Sequence, residues 1–178
     1  GREIPSRILW VGSTGDLPRK FLKCRRTNLK RARAVIPALV DAHTHLVFAG
    51  DRSSEFARRC AGATYEEIAR EGGGILHTVG ATRAATEAEL FKTACLRVRE
   101  AMGYGIRTIE LKSGYGLDHE SELKQLRVAR RLKREIPEVL FQSTYLGAHA
   151  VPKGRTKQEY IDEILRKTLP EVVASGLA

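Results

Sequence analysis

The chain has 178 residues, of which 42% are hydrophobic and 29% are charged, a balance typical of a globular protein with a core. No stretch offers the roughly 18 apolar residues of a membrane helix, and we see no secretory signal at the N-terminus. Lysine and arginine number 31 against 21 acidic residues, and the formal net charge of +10 permits binding to nucleic acid or anionic surfaces. The three cysteines are few and widely spaced, which argues against a disulfide scaffold and favours a reducing, cytoplasmic location.

Two clusters carry much of the positive charge. One runs from Arg19 to Arg33, and the other runs from Arg127 to Arg134 on a predicted helix. Neither cluster is interleaved with aromatic residues as a base-stacking platform would be, so we interpret both as solvated surfaces. A non-catalytic basic module that binds nucleic acid stays open as an alternative from another functional class.

Residues 1–36 show little regular pattern. Ile8 to Gly12 could form a short strand and turn, and the basic stretch follows. From Val35 onward, strands alternate with amphipathic helices. The predicted strands span about 39–48, 106–112 and 139–146, and the main predicted helices span about 86–102 and 119–135, with a last helix that begins near 156 and that Pro170 kinks or restarts.

Three Thr-x-x-Glu capping boxes support the helix assignments, because the threonine hydroxyl and the glutamate carboxylate each accept a backbone N–H of the first turn. They begin at Thr64, Thr86 and Thr156, and Asp118 is a further candidate N-cap. Gly72–Gly74 ends a short helix and is interpreted as a flexible turn. The order β-α-β-α-β-α indicates a parallel sheet, either doubly wound or an arc of a (β/α)₈ barrel.

Polar side chains of ligand or anion-binding type follow all three predicted strands. His43, His45 and Arg52 follow the first strand. Lys112, Ser113 and Tyr115 follow the second, and His149 follows the third. The two histidines of the first strand are spaced i, i+2 and would project from one strand face, where imidazoles make half of a zinc-type site. Function collects at the carboxyl ends of parallel strands, so these residues are the candidate site.

Several longer motifs surround these residues. They are Asp41–Arg52, Gly62–Ile68, Gly72–Ile75, Ala81–Thr86, Leu111–Asp118 and Leu146–His149. In order and approximate spacing they resemble the imidazolonepropionase family of the amidohydrolase superfamily, over about 35–177. Ala38 stands where that family more often has glycine. The resemblance implies an α/β fold, a partial (β/α)₈ TIM barrel of about three βα units over residues 37–178, preceded by a remnant of a small β-domain over residues 1–36.

The resemblance also implies an activity in histidine degradation, the hydrolysis of the cyclic amide of 4-imidazolone-5-propionate to N-formimidoyl-L-glutamate. His43 and His45 would bind one zinc or iron ion, and His149 would act near the substrate carbonyl. Arg52 would hold the propionate, while Tyr115, His149 and, with weaker support, Tyr65 would contact substrate. The expected partner is the small-molecule substrate, and binding to membranes or nucleic acid is not expected. A homodimer of the full-length protein is compatible with the resemblance.

A complete barrel takes eight βα units and about 250 residues. The family's remaining metal ligands lie on later strands, so we expect this chain to be the N-terminal part of such an enzyme, without the residues for turnover alone. Another amidohydrolase, such as a nucleobase deaminase, is the closer alternative. Arg52 and the Lys112–Tyr115 segment argue against it. His77 and His119 match no ligand position and are interpreted as surface or helix-start residues.

Overall fold

The computed structural model describes residues 8–27 and 34–178, and it divides into two units, Gly1–Ile36 and Pro37–Ala178. In the first unit, the described residues form two short 3₁₀ turns, Thr14–Asp16 and Arg19–Phe21. The strand predicted at Ile8 to Gly12 is wrong: Ile8 and Val11 are highly exposed, and no strand of this unit's described residues pairs with them. A lone extended segment has no ladder to stabilise it. The end of the basic stretch, residues 28–33, lies outside the described residues.

Three parallel strands form the sheet of the second unit, in the order β1-β2-β3. They are β1 (Leu39–Thr44), β2 (Ile106–Lys112) and β3 (Leu140–Thr144). The α/β class and the parallel arrangement are therefore confirmed, and β2 has its predicted bounds. β1 and β3 are shorter than predicted, because His45–Phe48 and Tyr145–Leu146 leave the ladder and become connections.

Helices connect and cover these strands. They are α1 (Ser53–Cys60), α2 (Tyr65–Arg70), α3 (Ile75–Ala84), α4 (Glu87–Gly103), α5 (His119–Glu135), α6 (Lys157–Glu163) and α7 (Leu169–Ser175). Within the described residues, none of them is long and apolar enough to cross a membrane.

The capping residues predicted from the sequence begin four of the helices. Thr64 and Glu67 exchange side-chain hydrogen bonds with each other's backbone N–H at the start of α2. Complete capping boxes stand at Thr86 and at Thr156. Asp118 accepts the backbone N–H of Ser121 at 2.8 Å. Each contact satisfies N–H groups that a helix start leaves without partners, which fixes where the helix begins.

The main core lies between one face of the sheet and helices α4 and α5. The helices contribute small and branched apolar side chains at helical spacing, and the sheet contributes alternate residues of β2 and β3. Buried members include Leu90, Ala94, Val98, Ile109, Leu111, Val128, Ala129, Leu132 and Phe141. Since side chains alternate across a strand, Glu110 and Lys112 of β2 face away from this core.

That second face of the sheet is polar. Glu110 accepts hydrogen bonds from the Lys112 ammonium and from the Thr144 hydroxyl, both at 2.7 Å. These contacts lower the pKa of Glu110 below its ordinary value, so the carboxylate is ionised beside its lysine. The polar face leads directly to the carboxyl ends of the strands, where the candidate site lies.

The C-terminal helix changes its hydrogen bonding before Pro170. Ile164–Thr168 forms a π-helical segment between α6 and α7. Proline has no N–H to donate to the preceding turn, and a π-bulge is one way to accommodate that loss within a helix. The predicted restart of the helix at Pro170 is therefore confirmed, because α7 begins at Leu169. The irregular residues precede the proline.

Candidate active site at the carboxyl ends of the strands

The two histidines of the His-x-His motif lie at the end of β1. His43 is the penultimate residue of the strand and His45 follows it directly. Their ring centroids are 5.7 Å apart with the rings edge-on. Nδ1 of His45 is buried and, among the described residues, is the one buried side-chain polar atom without a hydrogen-bond partner. A buried nitrogen without a partner is costly, so it marks a position where a ligand would be stabilised.

Residues from the other two strand ends join this pair. The His149 ring stacks on His45 with centroids 4.8 Å apart and planes only 13° from parallel. Tyr115 lies 4.8 Å from His45 and 5.6 Å from His149, again between ring centroids. The fold thus brings together four of the residues predicted from the sequence, because the three parallel strands end at the same edge.

The electrostatic environment keeps His45 neutral. Burial, followed by the neighbouring imidazoles of His149 and His43, lowers the pKa of His45 to about 4. Desolvation and nearby positive charge both disfavour the protonated ring. At neutral pH the ring therefore carries a free lone pair, which is the form in which imidazole binds metal ions.

The tautomer of His149 follows from its backbone contact. Its Nδ1 lies 3.1 Å from the carbonyl oxygen of Gly114. A carbonyl oxygen can only accept, so Nδ1 carries the proton and donates it. Nε2 is left for other contacts: it accepts a hydrogen bond in the neutral ring and donates one in the charged ring.

The loop that carries Tyr115 is held by a buried carboxylate. Glu122 of α5 is fully buried and accepts three backbone N–H groups, those of Gly114, Gly116 and Leu117, at 2.9, 2.8 and 2.8 Å. The close approach requires glycine at 116, where a Cβ would lie 2.5 Å from the Glu122 backbone nitrogen. Glu122 therefore fixes the backbone on both sides of Tyr115.

Gln125, one turn further along α5, links the same loop to the first strand end. Its Oε1 accepts the Tyr115 N–H at 3.2 Å, and its Nε2 donates to the Val47 carbonyl at 2.6 Å. Gln125 is 1% exposed. Together, Glu122 and Gln125 make the positions of the first two strand ends depend on α5.

A cavity of about 410 Å³ adjoins the ring cluster at Tyr115. Its lining residues include Phe48, Asp51, Arg52, Thr78, Arg97 and Tyr115. Arg52 lies at the start of α1, and its Nε donates to Glu55 at 2.8 Å. Arg97 of α4 enters the cavity wall from the helix layer, with its guanidinium 3.6 Å from the centroid of the Phe48 ring. Two of the predicted substrate-binding residues, Arg52 and Tyr115, thus line one cavity.

The remaining predicted residues lie elsewhere or have different partners. Tyr65 begins α2, is 56% exposed and lies beside Gly74, outside the lining of the cavity. Lys112 is paired with Glu110 on the polar sheet face. His119 is at a helix start as predicted but is not a surface residue: it is buried, with Thr168 at 3.1 Å and Glu171 at 3.2 Å. The packing of α5 against the C-terminal helices buries it.

Sequence reasoning missed Glu122, Gln125 and Arg97. Each lies on an amphipathic helix, where a charged or amide residue is ordinarily solvated. An acidic residue near a helix start is also favoured by the helix dipole alone, so its position in the sequence does not mark Glu122 for a further role. The glycines at 114 and 116 were the one available signal, since they indicate backbone that approaches another group closely.

The donor set for a metal is incomplete within the part of the chain that the structure describes. No group of three or more His, Cys, Asp or Glu side chains there could hold a metal ion. The three cysteines are free, as the sequence predicts, and none belongs to the ring cluster. His43 and His45 are thus two imidazoles that require further ligands to complete a site of ordinary coordination.

Fold and site together define an α/β protein in which imidazole, phenol and guanidinium groups converge at the carboxyl edge of a parallel sheet. No family model matches the chain. Curated relatives named imidazolonepropionase do: those of Burkholderia multivorans, Burkholderia ambifaria and Paraburkholderia phymatum are 51, 50 and 49% identical to it over 173 residues. The match covers 96% of this chain and 42% of each relative. The chain is therefore homologous to imidazolonepropionases, as its motifs predict, and spans about two fifths of their length.

Proposed function

We propose that this chain contributes metal-binding and substrate-binding residues to the hydrolysis of 4-imidazolone-5-propionate to N-formimidoyl-L-glutamate. The observation that carries the proposal is the cluster of His43, His45, Tyr115 and His149, because family motifs far apart in sequence meet there around one buried, unpartnered nitrogen. The homology to proteins named imidazolonepropionase supports the same reaction. The three βα units would then be an arc of a (β/α)₈ barrel.

His43 and His45 would hold one zinc or iron ion. The unpartnered Nδ1 and the low pKa of His45 suit that role, since a neutral imidazole with a free lone pair is a metal ligand. When bound, the ion supplies Lewis acidity toward the substrate carbonyl and toward water. With two imidazoles in the described residues, at least one further ligand is needed for turnover.

The chain's other side chains would bind and orient the substrate. Arg52 would contact the propionate, and Tyr115 would hold the imidazolone ring against the histidine stack. His149 would act through Nε2, since its Nδ1 is engaged with Gly114. From that position it can donate to the carbonyl oxygen, where negative charge develops, when the ring is protonated. Tyr65 would need to move toward the cavity to take part.

A segment exchange tests this proposal. The matching 173 residues of the Burkholderia multivorans relative are replaced by those of this chain, and the chimera is assayed for loss of 4-imidazolone-5-propionate with zinc or iron added. We expect turnover, its loss in His43→Ala and His45→Ala chimeras, and its retention in His77→Ala, which changes an exposed histidine of α3. A folded chimera without turnover would contradict the proposal. Turnover of a nucleobase instead would favour the deaminase alternative, which the comparisons do not favour.

A further inference from the structure

Arg97 is the cation of the cavity wall whose charge no carboxylate of the described residues neutralises. The ion pairs of those residues include Arg52 with Glu55 and Lys112 with Glu110, and none involves Arg97. Arg97 is partly buried, and burial alone lowers its pKa from the ordinary value, although it stays charged at neutral pH. An arginine that is desolvated without an anion is unfavourable unless a ligand or solvent compensates for it.

The guanidinium of Arg97 is positioned by hydrogen bonds from its Nη1 and by stacking of its planar face on an aromatic ring. Nη1 donates to the carbonyl oxygens of Leu46 and Phe48, both at 2.8 Å. The flat face lies 3.6 Å from the centroid of the Phe48 ring, which is a cation–π contact. These contacts fix the orientation of the fork without using its other edge.

The free edge consists of Nε and Nη2, which point to the same side and form the pair that binds a carboxylate bidentately. No hydrogen bond from either atom occurs among the described residues, and neither is a buried atom without a partner. Both donors are therefore accessible to solvent, and Arg97 lines the cavity. By contrast, Nε of Arg52 is already occupied by Glu55.

We propose that Arg97 is a specificity-determining residue that binds the carboxylate of a small-molecule acid through its free Nε–Nη2 edge, in addition to the contact assigned to Arg52. This inference rests on the proposed function for the identity of the acid, the propionate of the imidazolone. The cavity also offers the aromatic rings of Phe48 and Tyr115 for a planar group attached to that acid. The ligand class is therefore a planar heterocycle with a carboxylate side chain.

Binding of two matched ligands to the chain provides the test. Imidazole-4-propionate and its uncharged methyl ester share a ring, so the ratio of their dissociation constants isolates the carboxylate. The titrations use the full chain without metal, at low salt, and follow backbone amide signals by NMR. We expect the acid to bind more tightly than the ester, and Arg97→Gln to weaken the acid by about tenfold to a hundredfold while changing the ester little, as for loss of hydrogen bonds to a charged group.

Matched variants separate charge, fork geometry and structure. Arg99→Gln, an exposed arginine on the same helix, should leave both constants unchanged. Arg97→Lys keeps the positive charge but loses the paired N–H donors, so its preference for the acid over the ester should be intermediate. If Arg97→Gln does not fold, this variant alone tests whether Arg97 binds the carboxylate. Arg52→Gln measures the neighbouring contact in the same way.

Three results would overturn the inference. One is an equal affinity of the unmodified chain for acid and ester, and another is an equal loss for both ligands in Arg97→Gln, which would mean that Arg97 only holds the strand end. The third is a preference that disappears in Arg52→Gln and persists in Arg97→Gln. An acid preference that depends on Arg97, together with an inactive chimera, would retain the anion site and reject only the proposed reaction.

Discussion

Glu122 should be the most stability-sensitive polar residue of the site, and replacing it by glutamine tests why. Its Oε1 accepts the N–H groups of Gly116 and Leu117, and its Oε2 accepts that of Gly114. A glutamine retains one acceptor oxygen and presents an NH₂ group in place of the other. That NH₂ would face the Gly114 N–H, donor against donor, in a position without solvent access.

The expected loss follows from that geometry. One buried N–H left without an acceptor costs about 1–3 kcal/mol, so Glu122→Gln should lower the free energy of unfolding by about that amount. Glu122→Ala removes both acceptor oxygens and leaves three N–H groups without a partner, and at about 1 kcal/mol for each hydrogen bond the loss should be at least about 3 kcal/mol. Gly114 should shift in both variants, and since its carbonyl accepts from His149, the imidazole of His149 should report that shift.

Urea unfolding measures the first effect, and the imidazole ¹⁵N signals of His149 measure the second. Glu138→Gln is the control, because Glu138 is exposed and makes no side-chain hydrogen bond among the described residues. A loss below about 0.5 kcal/mol in Glu122→Gln, the usual range of surface substitutions, would mean that the buried carboxylate is not needed to satisfy the loop. Unchanged His149 signals would refute the link from Glu122 to the ring.

Two further predictions concern α4. Leu90 is fully buried and Leu96 is 58% exposed. Leu90→Ala should therefore lower the free energy of unfolding by about 2–5 kcal/mol, and Leu96→Ala by about 0.5 kcal/mol or less. Comparable losses for the two variants in urea unfolding would contradict the assignment of Leu90 to the buried face of α4. Capping contacts from Thr86 lower the pKa of Glu89, so its stabilising effect is present above the unfolded-state pKa of about 4.3 and is lost as pH falls through the lower folded-state value. The difference in unfolding free energy between the unmodified chain and Glu89→Ala should therefore be larger at pH 7 than at pH 3, and a gap that stays constant or widens in acid would contradict this.

Local signals predicted the fold well where they were self-contained. The capping boxes at Thr86 and Thr156 and the N-cap at Asp118 need only a few neighbouring residues, and the helices begin where these predict. Helix α3 was missed because its buried face carries Thr78 and Thr82, which interrupt the apolar pattern that indicates a helix. Tertiary packing forms that helix, and no local pattern reports it.

The site was predictable to the extent that it follows from topology. Parallel strands end at one edge, so His45, Tyr115 and His149 were expected to meet, and they do. Which charges are free could not be predicted, because it depends on partners distant in sequence. Arg52 is engaged by Glu55, while Arg97 lines the cavity and makes its side-chain hydrogen bonds through Nη1.

A metal titration of the chain asks whether the end of β1 binds a metal ion, as we propose. Zinc is added at pH 7, where His45 is neutral, and the side-chain signals of the histidines are followed by NMR. We expect one saturating event that shifts the signals of His43 and His45, is abolished in His43→Ala and in His45→Ala, and is unchanged in His77→Ala. Zinc binding that survives both strand-end substitutions, or that depends on His77, would contradict it.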